Sequence, residues 1–212
     1  MIRLGLTGSI AMGKTTTAAL FRELGIPVHD ADATVHKLYA IGGSAVEPIG
    51  KLAPDAVVEG AVSREKLKAL ISEDPEVLRS IEAIVHPLVL ADRKSFEAAA
   101  EQEGHDIIVF DVPLLFETGA NKEVDRVVVV SAPLEVQRRR ALERPKMTVA
   151  LFEHILSQQM PDGEKRAAAD YVIDTSQGLD HARKAVQTLL ETIRAELSGN
   201  ERDIPGHRDN GS

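Results

Sequence analysis

Eight consecutive residues, Gly8-Ser9-Ile10-Ala11-Met12-Gly13-Lys14-Thr15, fit the pattern G-x-x-x-x-G-K-[ST] of a phosphate-binding P-loop. In such a loop, successive backbone N–H groups and the positive end of the following helix converge on one point, which suits a polyanion. Lys14 can then reach the terminal phosphates of a nucleoside triphosphate, Thr15 can ligate Mg²⁺, and Thr16 completes the nucleotide-binding stretch. The apolar run at residues 2–7 suits a buried parallel strand, and Ala18, Phe21 and Leu24 recur at helical spacing before Gly25 stops the pattern. Strand, loop and helix stand in the order the motif requires.

Asp30 and Asp32 flank Ala31 just past a second short strand, Gly25-Ile26-Pro27-Val28-His29-Asp30. A carboxylate there can take the proton of an acceptor hydroxyl; two acids ahead of a helix also serve as a cap and a complement to the helix dipole, so position alone leaves both readings open. His36 lies four residues after Asp32, on the same helical face. Asp111 ends another apolar strand, Asp106-Ile107-Ile108-Val109-Phe110-Asp111, in the manner of the acid that holds Mg²⁺ directly or through water in P-loop proteins. The next residues, Pro113-Leu114-Leu115-Phe116-Glu117, are apolar for a loop at a ligand edge and read either as a wall against substrate or as core. Arg138, Arg139, Arg140 and Arg144 crowd one helix and its end, a repulsive arrangement unless anions offset it. A lid that brings Arg140 and Arg144 onto a transferring phosphoryl group accounts for them, with Lys165 and Arg166 able to assist.

The elements that must position these groups follow from the patterning. Residues 44–104 read as mostly helical, with Ser44 and Glu47 resembling a capping box, Ser63 as a second cap, a third helix from Asp74-Pro75, and a kink at His86-Pro87 between the last two helices. Sixty residues of helix exceed an ordinary crossover between parallel strands and imply an inserted helical subdomain over a substrate. Residues 126–130 and 171–174 supply two more strands. Residues 133–144 form a basic helix, Thr148 caps another through Gln159, Pro161-Asp162-Gly163 turns into a short segment, and an amphipathic helix closes over 179–197. The expectation is an α/β P-loop NTPase fold: a five-stranded parallel sheet with helices on both faces, a helical insertion and a small helical lid. The core takes residues 1–43, 105–135 and 167–197, the insertion 44–104, the lid 136–166, and a polar tail 198–212 is expected to be flexible.

The chain has 212 residues, 43% apolar and 27% charged, ordinary for a globular protein. Its net charge of −8 argues against a nucleic-acid surface, so an anionic ligand must be met by local clusters of Lys and Arg. No cysteine is present, which excludes disulfide and thiolate chemistry. A P-loop starting at Gly8 leaves no room for a signal peptide, and no apolar run approaches a membrane span, so a cytoplasmic protein without a membrane partner is expected, with a monomer as the default.

Taken in order, the P-loop with Leu6-Thr7 before it, Asp30-Ala31-Asp32, His86-Pro87, Asp111 to Glu117, the Arg140 to Arg144 lid and Ala169-Asp170-Tyr171-Val172-Ile173-Asp174 resemble the dephospho-CoA kinase family over about residues 1–197. The resemblance implies phosphorylation of the ribose 3′-hydroxyl of dephospho-CoA by ATP with Mg²⁺, the final step of coenzyme A synthesis. It implies Asp32 as the base, Lys14, Arg140 and Arg144 on the phosphates, and Thr15 and Asp111 for the metal. Residues 8–16 and Thr175 fall to ATP. The acceptor falls between the insertion and the wall, with His36, His86, Asp111, Pro113, Leu114, Leu115, Phe116, Glu117 and Lys165 as its candidate contacts. The family usually has Gly at the positions of Ser9 and Ala11, Ser at Met12 and Asn at Thr175. Another small P-loop kinase acting on a nucleoside monophosphate or metabolite would share the core and lid. A GTPase-like switch is suggested only by Asn121-Lys122-Glu123-Val124, where the Asp of the guanine-reading motif comes one residue late and ahead of its strand.

Overall fold

The computed structural model describes residues 1–200; most of the expected tail, residues 201–212, lies outside the described residues. Five parallel strands, β1 (Ile2–Thr7), β2 (Val28–Asp30), β5 (Ile107–Asp111), β6 (Arg126–Ser131) and β7 (Tyr171–Asp174), form one sheet in the order β2-β5-β1-β6-β7. β5 is buried at every position, as a parallel strand covered on both faces must be. Alternation divides its side chains. Ile107 and Val109 join Leu4, Leu6, Val128 and Val130 under α1 (Lys14–Glu23) and α9 (Leu179–Asn200), where Phe21, Val186 and Leu190 complete the main core. Ile108 and Phe110 face the other way onto Phe96 and Ala100 of α5 (Glu76–Gln102).

The register brings the carboxyl ends of the strands into line: Asp30 and Leu6 both lie opposite Asp111, and Ser131 lies opposite Asp174. Ligands gather at this edge of an open α/β sheet, because loops and helix N-termini meet there.

Between β2 and β5 the chain forms α2 (Ala31–Tyr39), α3 (Val46–Leu52), a 3₁₀ turn, a small antiparallel hairpin of β3 (Val57–Val58) and β4 (Ala61–Val62), α4 (Arg64–Glu73) and the long α5. This insertion has its own core of Leu38, Ile49, Leu67, Ile81 and Val85. The hairpin was not expected from the sequence, since two-residue strands carry no periodicity. Ser44 does not cap α3; the N-cap is Ala45, with no side-chain bond. Ser63 does cap α4, its Oγ accepting from Lys66 N at 3.3 Å. Pro87 does not divide the segment into two helices, because α5 runs through it unbroken. A proline forfeits one helical hydrogen bond, but Ile81 and Val85 before it and Leu88 and Val89 after it pack on the same core.

The segment expected to form a lid consists of α6 (Leu134–Leu142), α7 (Val149–Ser157) and α8 (Asp162–Ala167). Thr148 caps α7 through Leu151 N at 3.1 Å. Arg144 lies beyond the end of α6. At the other end of the chain α9 continues to Asn200, three residues past its expected stop, and Ser198 Oγ donates back to Arg194 O at 3.0 Å. Among the described residues no helix is long and apolar enough to cross a membrane.

The exit of β1 into the P-loop depends on close approach at Gly8, where a Cβ would lie 2.8 Å from the carbonyl oxygen of Val130 and closer still to its side chain. Since β6 cannot retreat without disturbing its ladder to β1, Gly8→Ala should cost about 1–3 kcal/mol, the usual range for overpacking. Thermal unfolding should show a fall in Tm of several degrees.

Candidate active site

The P-loop and the first turn of α1 floor a cavity of about 580 Å³, walled by Arg140, Arg144, Thr175 and the start of α9. The loop is held from behind by side chains of later elements. Thr175 Oγ1 donates to Met12 O at 2.8 Å, while Arg140 donates to Thr175 Oγ1 at 3.0 Å and to Thr175 O at 2.7 Å. Gly13, at φ 90°, packs against the Thr175 side chain, so the loop, the end of β7 and the lid meet at one threonine. Lys14 Nζ pairs with Asp111 Oδ1. Burial raises the Asp111 pKa above the ordinary carboxylate value, against the opposing pull of Lys14.

A second cavity, about 980 Å³ and mainly apolar, lies between α2, α5 and the loop after β5. Tyr39, Ile81, Val85, Val89 and Leu114 line it, with His29, His86, Arg93 and His154 as its basic groups. Arg93 lies over the Phe110 ring at 4.0 Å and is paired with Glu97 and Glu123. The two cavities share four lining residues: Asp32, Pro113, Ile155 and Gln159.

The two acids of the Asp30-Ala31-Asp32 stretch part company. Asp30 caps α2, its Oδ1 accepting from Ala33 N at 2.9 Å, whereas Asp32 is exposed at the meeting of the cavities. α2 is fixed beneath it by a buried group: Thr34 Oγ1 donates to Asp92 Oδ2 at 2.9 Å, and His29 Nε2 lies 2.9 Å from the same oxygen. Burial opposes ionisation of Asp92, but these hydrogen bonds and Lys37 hold its pKa below the ordinary value.

Among the expected contacts, residues 8–16, Arg140, Arg144 and Thr175 face the first cavity, Asp32 and Pro113 face both, and His86 and Leu114 face the second. The others do not. His36 is exposed on the outer side of α2, because the second cavity follows the stripe Asp32, Val35, Tyr39. Leu115 is fully buried and Phe116 packs with it against Val127 and Val129, so the wall is Pro113 and Leu114 and the next two residues are core. Lys165 is fully buried and pairs with Glu117 at 2.8 Å; Met160 N donates to the same Glu117 oxygen at 2.8 Å. This pair fastens the loop after β5 to the end of the lid and reaches neither cavity. Asp111 stands behind Lys14 and lines neither cavity.

Sequence reasoning missed Gln159, Ile155, His29 and the cavity face of α5. The spacing of Ile81, Val85, Val89 and Arg93, four residues apart, was the available signal for the last.

A family model described as dephospho-CoA kinase matches residues 2–181. The dephospho-CoA kinase of Ruegeria pomeroyi is 54% identical over 193 residues, covering 91% of this chain and 96% of that protein. That of Mesorhizobium japonicum is 50% identical over 196 residues, covering 92% and 98%. The chain belongs to the dephospho-CoA kinase family. Its fold is similar to the crystal structure of TT1252 from Thermus thermophilus, with a TM-score of 0.73 and 34% identity over 90% of this chain and 97% of that one.

The departures from the dephospho-CoA kinase pattern can now be placed. Ser9 stays out of the left-handed region, but Ala11 adopts φ 61°. A left-handed alanine costs roughly 1–2 kcal/mol. Its methyl group packs on Ala141 and Phe152 of the lid, and burying it returns about 0.8 kcal/mol. Met12 is buried in the main core, and its sulfur accepts the N–H of Ala132 at 3.1 Å. Thr175 makes the contacts described above.

The Glu117–Lys165 pair carries a pH signature. Burial raises the Glu117 pKa, but Lys165 and the N–H of Met160 more than offset it, and the net shift is downward. A lowered folded pKa stabilises above the unfolded value of about 4.3 and loses that stabilisation as pH falls through the folded value. Glu117→Gln should therefore melt several degrees below wild type at neutral pH, with the gap narrowing below about pH 4. Melting curves at a series of pH values check this.

Proposed function

We infer that this chain transfers the γ-phosphoryl group of ATP to the ribose 3′-hydroxyl of dephospho-CoA, the last step of coenzyme A synthesis. The observation that carries the reading is the meeting of two cavities at Asp32. One is floored by backbone N–H groups, Lys14 and arginines, which suit a nucleotide triphosphate; the other is large and apolar, which suits an acceptor bigger than a simple metabolite. A nucleoside monophosphate would leave most of the second cavity empty.

In this reading the P-loop holds the phosphates, Lys14 moves from Asp111 onto them, and Arg140 and Arg144 meet charge on the phosphoryl group during transfer. Asp32 accepts the proton of the ribose hydroxyl as the bond to phosphorus forms. His86, Pro113 and Leu114 contact the acceptor. Among the described residues no group of three carboxylate or imidazole side chains could hold a metal by itself. Mg²⁺, which keeps water and substrate phosphates as ligands, would be held by Thr15 and, through water, by Asp111 once Lys14 has left it, and would neutralise charge on the phosphates. In this reading the chain works as a monomer in the cytoplasm.

An ADP-release assay should show turnover with dephospho-CoA and little with nucleoside monophosphates; the opposite preference would overturn the acceptor assignment. Asp32→Asn keeps the shape of the side chain and loses the proton acceptor, so kcat should fall about 10²- to 10⁴-fold with ATP affinity little changed. Asp30→Asn keeps a cap oxygen and should do much less. Steady-state kinetics with nucleotide titrations separate these effects.

A further inference from the structure

Two lid glutamines clip a single P-loop residue. Gln137, buried on α6, donates from Nε2 to Ile10 O at 2.9 Å, and Gln159, just past α7, accepts the Ile10 N–H through Oε1 at 3.0 Å. A backbone N–H can only donate, so the oxygen of Gln159 must face the loop and its NH₂ group must face away from it. That NH₂ group has no hydrogen-bond partner among the described residues. It belongs to one of the four residues that line both cavities, and only Asp32 and Gln159 of these have polar side chains. The place where a phosphoryl group must cross thus presents one carboxylate and one free amide donor.

We propose that Gln159 is a catalytic residue: its Nε2 donates a hydrogen bond to an oxygen of the phosphoryl group in transit, while its Oε1 stays on Ile10. The proton remains on the amide; what changes is the charge it faces, since the equatorial oxygens carry negative charge as the bond to the ADP oxygen breaks and the bond to the acceptor oxygen forms. The two ends of one side chain therefore couple the seating of the lid on the P-loop to contact with the reacting group. This inference rests on the kinase reading above.

Gln159→Glu retains an oxygen for Ile10 N–H and loses the donor; Gln159→Met loses both; Gln137→Met breaks only the other arm of the clip. Each is compared with wild type for kcat with dephospho-CoA, ATP affinity by calorimetry, and Tm. Removal of one such donor lowers kcat by about 10²-fold or more. Both Gln159 variants should show that loss with ATP affinity within a few-fold of wild type, and Gln137→Met should keep a kcat at least tenfold above them. The proposal is overturned if Gln159→Glu turns over as wild type, which makes the residue a clip alone. It is equally overturned if only Gln159→Glu is impaired, which makes the effect charge repulsion, or if Gln137→Met loses as much kcat as the Gln159 variants. A wild-type chain inactive on dephospho-CoA would instead sink the acceptor assignment, and ATP hydrolysis without acceptor would then carry the same comparison.

Discussion

A loop that binds phosphate through its backbone N–H groups can spend few of them on holding its own shape, and this constraint organises much of the molecule. Two are spent, Ile10 N–H on Gln159 and Met12 N–H on Ser9 O. The rest of the shape must come from the loop's carbonyls, its few side chains and the surfaces behind it. Here Thr175 and Gln137 take the carbonyls of Met12 and Ile10, Ala132 N–H is received by the sulfur of Met12, and Gly8 lies directly on Val130. These partners come from β6, the lid and the end of β7, so the loop is assembled only when residues more than a hundred positions downstream are in place. The left-handed Ala11 fits the same pattern, since its methyl group gives part of its backbone strain back as contact with lid residues Ala141 and Phe152.

Charge is handled in the same local fashion. A chain of net charge −8 must bind a nucleotide triphosphate, and it concentrates Lys14, Arg140 and Arg144 around one cavity. Two of these cations also meet protein partners, Lys14 at Asp111 and Arg140 at Thr175. The partner of Lys14 is itself poorly solvated, and burial raises its pKa against the pull of Lys14. Lys165, which faces neither cavity, is tied off by Glu117. The second cavity differs in kind: its walls are the apolar faces of α2 and α5, and Arg93 at its edge is matched by Glu97 and Glu123.

The P-loop, the strands and Asp32 were legible because each rests on local chemistry: a fixed spacing of Gly and Lys, continuous apolar runs, an acid at a strand end. The division of labour between Asp30 and Asp32 was not, since both fit a cap or a base until the cap bond to Ala33 N is seen. The Pro113 to Glu117 run shows the same limit. Its apolar character was plain, but which residue faces a cavity and which faces core depends on where β6 passes, and of the run only Pro113 and Leu114 border the second cavity. His36 followed Asp32 by helical spacing, yet the cavity bends along Val35 and Tyr39, a direction set by α5 and not by α2.

The sequence by itself determined the fold class, the site of phosphate binding and the family, because these follow from spacing along the chain and from the periods of strand and helix. Tertiary structure alone decided which charged groups face solvent, ligand or one another. Lys165 and Arg140 read alike as basic residues near a lid, but one is buried against Glu117 and the other borders the nucleotide cavity. Gln159 carried no signal at all, since an amide acquires a role only when one end is fixed and the other is left over, and the group that fixes it, Ile10 N–H, lies 149 residues away.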